Sequence, residues 1–187
     1  MTTDTSHETA RLAALKRYDI LDTPPDGSMN RLTALASKMF NMPIAIISMV
    51  DEDRIWFKSL HGLEAEQIDR GGGLCDSAIL SEDVYIVEDA RSDPRTLTNP
   101  MVVGEMGMRF YAASPLTTHD GHRLGTFCLI DQRPRYLNQE QQRMLQDLAA
   151  IAMDEIELRL AARTATAAST RRVAELEREL ELSRKQA

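Results

Sequence analysis

RFYAASPLTTHDGHRLGTFCLID, residues 109–131, decides the fold. Two runs suited to strands, 109–118 and 122–131, flank His119-Asp120-Gly121. Asp-Gly between hydrophobic runs is a strong short-range hairpin signal, because tight hairpin turns need positive φ. Upstream, YIVEDA (85–90) reads as a short strand, followed by a long connection over 91–108 that holds Pro94, Pro100, Gly104 and Gly107. IAIISMVD (44–51) reads as a buried strand that ends in the charges Asp51, Glu52, Asp53 and Arg54. IWFKSLHGL (55–63) is its returning partner, with Trp56 and Phe57 covering both faces.

Helical spacing fills the remainder. A first helix is expected from Glu8 to Tyr18 around Leu12 and Leu15, behind the cap-type Thr5 and Ser6. Pro24 and Pro25 force an open connection, and a second helix over Gly27–Asn41 presents Leu32, Leu35, Ala36 and Met39 as an apolar stripe. A flexible stretch at Gly71, Gly72 and Gly73 leads into LCDSAILS, which has helical spacing. The longest helix is expected from Asn138 to Ala162, with Leu145, Leu148, Ala152, Met153, Ile156 and Leu160 on one face. TATAAST (164–170) is weakly helical, and Val173, Leu176 and Leu180 then form a coiled-coil seam barely two heptads long. A seam that short becomes stable only if the preceding helix already joins two copies.

Composition excludes several classes. The 22 Lys+Arg against 29 Asp+Glu leave a formal charge of -7, without the basic surplus of a dedicated nucleic-acid binder. No apolar run reaches the roughly 20 residues of a membrane helix, and the first residues lack an export signal, so a cytoplasmic protein with no membrane partner is expected. Two cysteines, Cys75 and Cys128, support neither a disulfide scaffold nor a zinc site, and no metal ligand set is read. Four phenylalanines against 10 methionines imply a deformable, mainly aliphatic core.

A strand hairpin, helix, strand, long loop, second hairpin and long helix define an α+β fold with a central antiparallel sheet. RLAALKRYDILDTPPDGSMNRLTALA, SMVDEDRIWFKSLHGL, DARSDPRTLTNP and MRFYAASPLTTHDGHRLGTFCLID, in that order, resemble the GAF modules at the sensory end of bacterial histidine kinases and diguanylate cyclases. The resemblance covers residues 8–163, leaving 1–7 as an expected disordered start and 164–187 as a helical extension. It implies a cavity between one sheet face and a layer of loops and short helices, with terminal helices on the other face. An unidentified small molecule or cofactor would occupy that cavity and move the terminal helices. No output domain is legible, so the expectation is a stand-alone sensory module acting on a separate signalling partner, as a homodimer joined through Met153, Ile156, Leu160, Val173, Leu176 and Leu180.

Cys75 is the sharpest single residue, following three glycines at the first turn of a helix, where the dipole lowers a thiol's pKa. The kinase-linked modules usually carry a His two residues after this Cys, whereas this chain has Asp76 and Ser77. GGGLCDSA also resembles free methionine-(R)-sulfoxide reductases, GAF enzymes with several loop cysteines, so a thiol enzyme using Cys75 is the rival expectation. Its defect is that Cys128, on one strand face with Thr126 and Ile130, is expected in the sheet rather than on the lid. Cys75 is therefore read as a packed pocket wall rather than a nucleophile. Missing motifs argue against bilin, haem and cyclic nucleotide. The expected ligand site comprises Cys75, Ser77, Phe110, Tyr111, Ser114 and Phe127, with Asp89 and Arg109 at the rim and Met101, Met106 and Met108 as a lid. Only half of the strand residues can face a cavity, and sequence leaves open which half. A third expectation is a ligand-free dimerisation adaptor.

Overall fold

The computed structural model describes residues 5–186, with side chains described for all but Thr5, Gly72 and Gln186. Residues up to Met153 form one compact unit and those from Asp154 a second. The first unit is built on six antiparallel strands: β1 (Ile44–Val50), β2 (Arg54–His61), β3 (Gln67–Asp69), β4 (Tyr85–Val87), β5 (Phe110–Thr117) and β6 (Arg123–Asp131). Their spatial order is β3-β2-β1-β6-β5-β4. The β5–β6 hairpin forms where expected, with Ser114 opposite Phe127 and Gly121 at φ +87°. β1 lies against β6 so closely that a Cβ on Gly125 would sit 1.8 Å from the Ser48 carbonyl oxygen. Only glycine permits that approach.

The β1–β2 register shifts between Ile47 and Ser48: Ile47 faces Ser59 and Ser48 faces Phe57. Lys58 is thus the extra residue of a bulge, which turns Phe57 to one sheet face while Lys58 and Ser59 serve the other. On that second face Ser59 bonds Thr33 at 2.9 Å and Asn30 at 2.8 Å, and Lys58 Nζ donates to the Pro24 carbonyl at 2.9 Å.

Helix α1 (Thr5–Tyr18) begins three residues before the expected Glu8, so Thr5, Ser6 and His7 are helical rather than disordered; residues 1–4 of that expectation lie outside the described residues. Helix α2 (Gly27–Phe40) starts on Asp26, whose carboxylate accepts from the Ser28 amide at 2.9 Å. Its buried face is Met29, Thr33, Ala36, Ser37 and Phe40, while Leu35 and Met39 are exposed. The stripe read from sequence is therefore rotated. Thr33 and Ser37 are buried because their hydroxyls find Ser59 and the Met42 carbonyl, which hydropathy spacing does not register.

Two one-turn helices, α3 (Cys75–Ala78) and α4 (Pro100–Val103), belong to the layer over the other sheet face. The glycine stretch is more ordered than expected: β3 and a single 3-10 turn at Arg70–Gly72 precede α3. Helix α5 (Gln139–Gln186) runs unbroken through 164–170. The hydroxyls of Thr164, Thr166 and Thr170 bond carbonyls four residues back at 2.9–3.0 Å, and the intervening alanines favour helix.

Candidate functional site

Cys75 opens α3, and Arg70 fixes that helix from outside. The Arg70 guanidinium meets Asp76 at 2.7 Å, Glu8 at 2.7 Å and the Asp51 carbonyl at 2.8 Å, tying α3 to α1 and the β1–β2 turn. Gly73 lets the chain settle on the sheet edge, since a Cβ there would lie 2.3 Å from Ile55 Cδ1. The Cys75 side chain therefore points down onto β1, β5 and β6 and is buried.

Beneath it lies a small polar island in an apolar layer. The Tyr111 hydroxyl donates to Cys75 Sγ at 3.2 Å and the Ser48 hydroxyl at 3.5 Å. Ser48 and Thr126 lie opposite each other, with their hydroxyl oxygens 3.0 Å apart. Ser48 thus links Thr126 and Cys75 in one hydrogen-bonded group. Cys128 occupies the same sheet face: its strand partners are Ile46 and Ala113, one step diagonally from Ser48 and Tyr111. Two groups that flank Cys128 thus both reach Cys75, which brings the two thiols to one small cavity that both line. A hydrogen bond from Cys128 lowers the Cys75 thiol below the usual thiol range to about 6; burial opposes this and the Ser48, Thr126 and Tyr111 hydroxyls assist. Cys128 is held well above that range by its bond to Cys75 and by burial. Burial, followed by the charge of Cys75, likewise raises Tyr111.

The layer over this island is closed. Ile46, Phe57, Met101, Met108, Tyr111 and Ile130 are among the residues around a cavity of about 10 Å³. That is room for about one water molecule, against the roughly 300–1,000 Å³ of a pocket for a drug-sized ligand. The open ligand cavity expected from the resemblance is corrected to a filled core. The methionines of the expected lid fill it, Met108 completely buried and Met101 and Met106 half-buried against the same cluster.

The expected site residues divide. Cys75 and Tyr111 line the cavity. Phe110, Ser114 and Phe127 are buried on the opposite sheet face, because alternation puts 111 and 113 of β5 and 126, 128 and 130 of β6 toward α3. Ser77 is exposed on α3. Asp89 accepts from the Arg91 amide at 3.1 Å and pairs with its guanidinium at 2.7 Å, a local cap rather than a ligand group. Arg109 donates to the carbonyls of Val102 and Met108, both at 3.0 Å, and braces the lid. Met153 and Ile156 are buried within one chain and Leu160 is half-buried, so of the expected dimer seam only Val173, Leu176 and Leu180 stand exposed. The residues missed were Ser48, Thr126 and Cys128. A lone serine inside the fully buried IAIISMV run was the available signal.

The sheet order and the layer of short helices over one face define an α+β module with a central antiparallel sheet. The chain belongs to the GAF domain family, whose model matches residues 25–156. It is 39% identical over 150 residues to a cyclic di-GMP phosphodiesterase of Pseudomonas aeruginosa, covering 80% of this chain and 26% of that protein. The chain thus spans about a quarter of the length of this curated relative. Among solved structures, free methionine-R-sulfoxide reductase of Neisseria meningitidis in complex with its substrate superposes with TM-score 0.60 at 17% identity, covering 87% of this chain and 96% of that one. The GAF domain of an Acinetobacter phosphoenolpyruvate-protein phosphotransferase gives 0.59 at 15%, covering 86% and 96%. These two likenesses concern the fold alone. No helix among the described residues is long and apolar enough to cross a membrane.

Proposed function

We propose that the chain is a regulatory GAF module of bacterial signal transduction, which takes up a small molecule beneath its methionine lid and acts through α5, as a homodimer, on a separate signalling partner. The observation that carries this reading is the 39% identity, over 150 residues, to about a quarter of a cyclic di-GMP phosphodiesterase. The filled cavity sets a condition: the ligand enters only by displacing Met101, Met106 and Met108, unbranched side chains that repack at low cost. By linkage, it can move α5 only by its difference in affinity for two poses, typically about 1–3 kcal/mol. Native mass spectrometry of untreated full-length protein tests the reading. A dimer that releases a small molecule on denaturation is expected; a monomer with nothing bound overturns it.

The same filled core favours the ligand-free adaptor as a second reading, supported if the protein is an empty dimer. Apposition of Cys128 to Cys75 favours a third, thiol-dependent reduction of free methionine sulfoxide. Turnover lost in Cys75→Ser would establish it, although a cavity of about 10 Å³ must first open to admit an amino acid.

A further inference from the structure

We propose that Cys75 and Cys128 form a peroxide-reactive dithiol site, which a small hydroperoxide converts into a disulfide between α3 and β6. This is independent of ligand uptake, since it needs only the closed cavity. Four observations converge. Cys75 and Cys128 both line the same small cavity, and Tyr111 and Ser48, which bond Cys75, sit one step diagonally from Cys128 on the sheet. Two hydroxyl donors, from Tyr111 and Ser48, are aimed at Cys75 Sγ, at 3.2 and 3.5 Å. The Arg70–Asp76 ion pair fixes the turn that carries Cys75. Finally, the space above the sulfurs matches one water-sized molecule, which favours hydrogen peroxide over bulkier oxidants.

The chemistry balances as follows. Cys75 thiolate attacks one peroxide oxygen; the S–O bond forms, the O–O bond breaks, and hydroxide leaves, taking the proton lost by Cys75 to become water. Cys75 is then a sulfenic acid. Cys128 sulfur attacks the Cys75 sulfur; the S–S bond forms, the S–O bond breaks, and the hydroxyl departs with the Cys128 proton as a second water. Two thiols are oxidised and one peroxide is reduced, and an external dithiol restores the site by exchange. The hydroxyl donors favour the thiolate that begins the sequence. Tyr111 is a positioning residue.

Full-length protein, reduced and freed of reductant, is treated with hydrogen peroxide, then blocked with N-ethylmaleimide and analysed by intact mass and peptide mapping. One equivalent is expected to remove two hydrogens, join the peptides of Cys75 and Cys128, and be reversed by dithiothreitol. Cys128→Ser, a near-isosteric change, is expected to halt at a sulfenic acid on Cys75, read as the gain of one oxygen in the intact mass. Tyr111→Phe is expected to slow oxidation about three- to tenfold at neutral pH and to move the midpoint of its pH profile upward, as loss of one donor to a thiolate implies. A purely structural role would not move that midpoint. tert-Butyl hydroperoxide is expected to react at least about tenfold more slowly, because it exceeds a one-water cavity. Both thiols surviving excess peroxide in folded protein, or separate oxidation to sulfinic acids without a cross-link, would overturn the proposal.

Discussion

Arg11, only 3% exposed, is the residue on which the start of the chain depends. It donates to the Val50 carbonyl at 2.8 Å and holds Glu8 at 2.7 Å, while Glu8 also reaches Arg70. The hydrogen bond from Arg11, opposed by partial burial and helped by Arg70, lowers the Glu8 carboxyl to about 2. A depressed carboxyl stabilises the fold above its unfolded value, near 4.5, and that contribution disappears as pH falls through about 2. Glu8→Gln is therefore expected to lose about 1 kcal/mol at neutral pH, discounted for its solvent contact. Urea titrations at neutral pH and near pH 2 should show the gap from wild type closing in acid. A constant gap would assign the effect to packing.

At the scale of elements, α5 offers a second test. With Val173 and Leu180 at a positions and Leu176 at d, Arg172 and Glu179 fall at g and Glu177 and Arg184 at e. A parallel pair of copies sets Arg172 against Glu177 and Glu179 against Arg184, all attractive. An antiparallel pair centred on the same seam sets Glu177 and Glu179 each against its own copy, which repels. If the homodimer forms as proposed, it is parallel. Glu179→Arg should then weaken it about tenfold, two attractions becoming repulsions, and adding Arg184→Glu should restore it. Sedimentation equilibrium reads both variants, and a compensating change that fails to restore association would refute the parallel arrangement. Val173, Leu176 and Leu180 are exposed, whereas Leu145, Leu148, Ala152 and Met153 are buried.

For the molecule as a whole, the division near Met153 matters most. The buried residues of α5 end at Ile156, and the helix beyond 163 is almost wholly exposed. A chain ended after Arg163 is expected to unfold cooperatively with a midpoint within about 3 °C of the full chain. Thermal denaturation followed by circular dichroism checks this, and a larger fall would show that the extension stabilises the sheet unit.

The sequence by itself determined the hairpin at 109–131, the antiparallel α+β order and the family, because turn chemistry and period-two hydropathy act between near neighbours. It also marked Cys75 and put Cys128, Thr126 and Ile130 on one strand face. Tertiary structure alone decided which face that was, and so displaced Phe110, Ser114 and Phe127 from the site in favour of Ser48 and Cys128. It alone rotated the buried side of α2, filled the cavity with methionines and set Cys75 and Cys128 on the lining of one cavity. Local periodicity fixes where side chains point along a strand. What they meet depends on registers and crossings set by distant segments, and burial of a polar group is decided by whether a partner waits there.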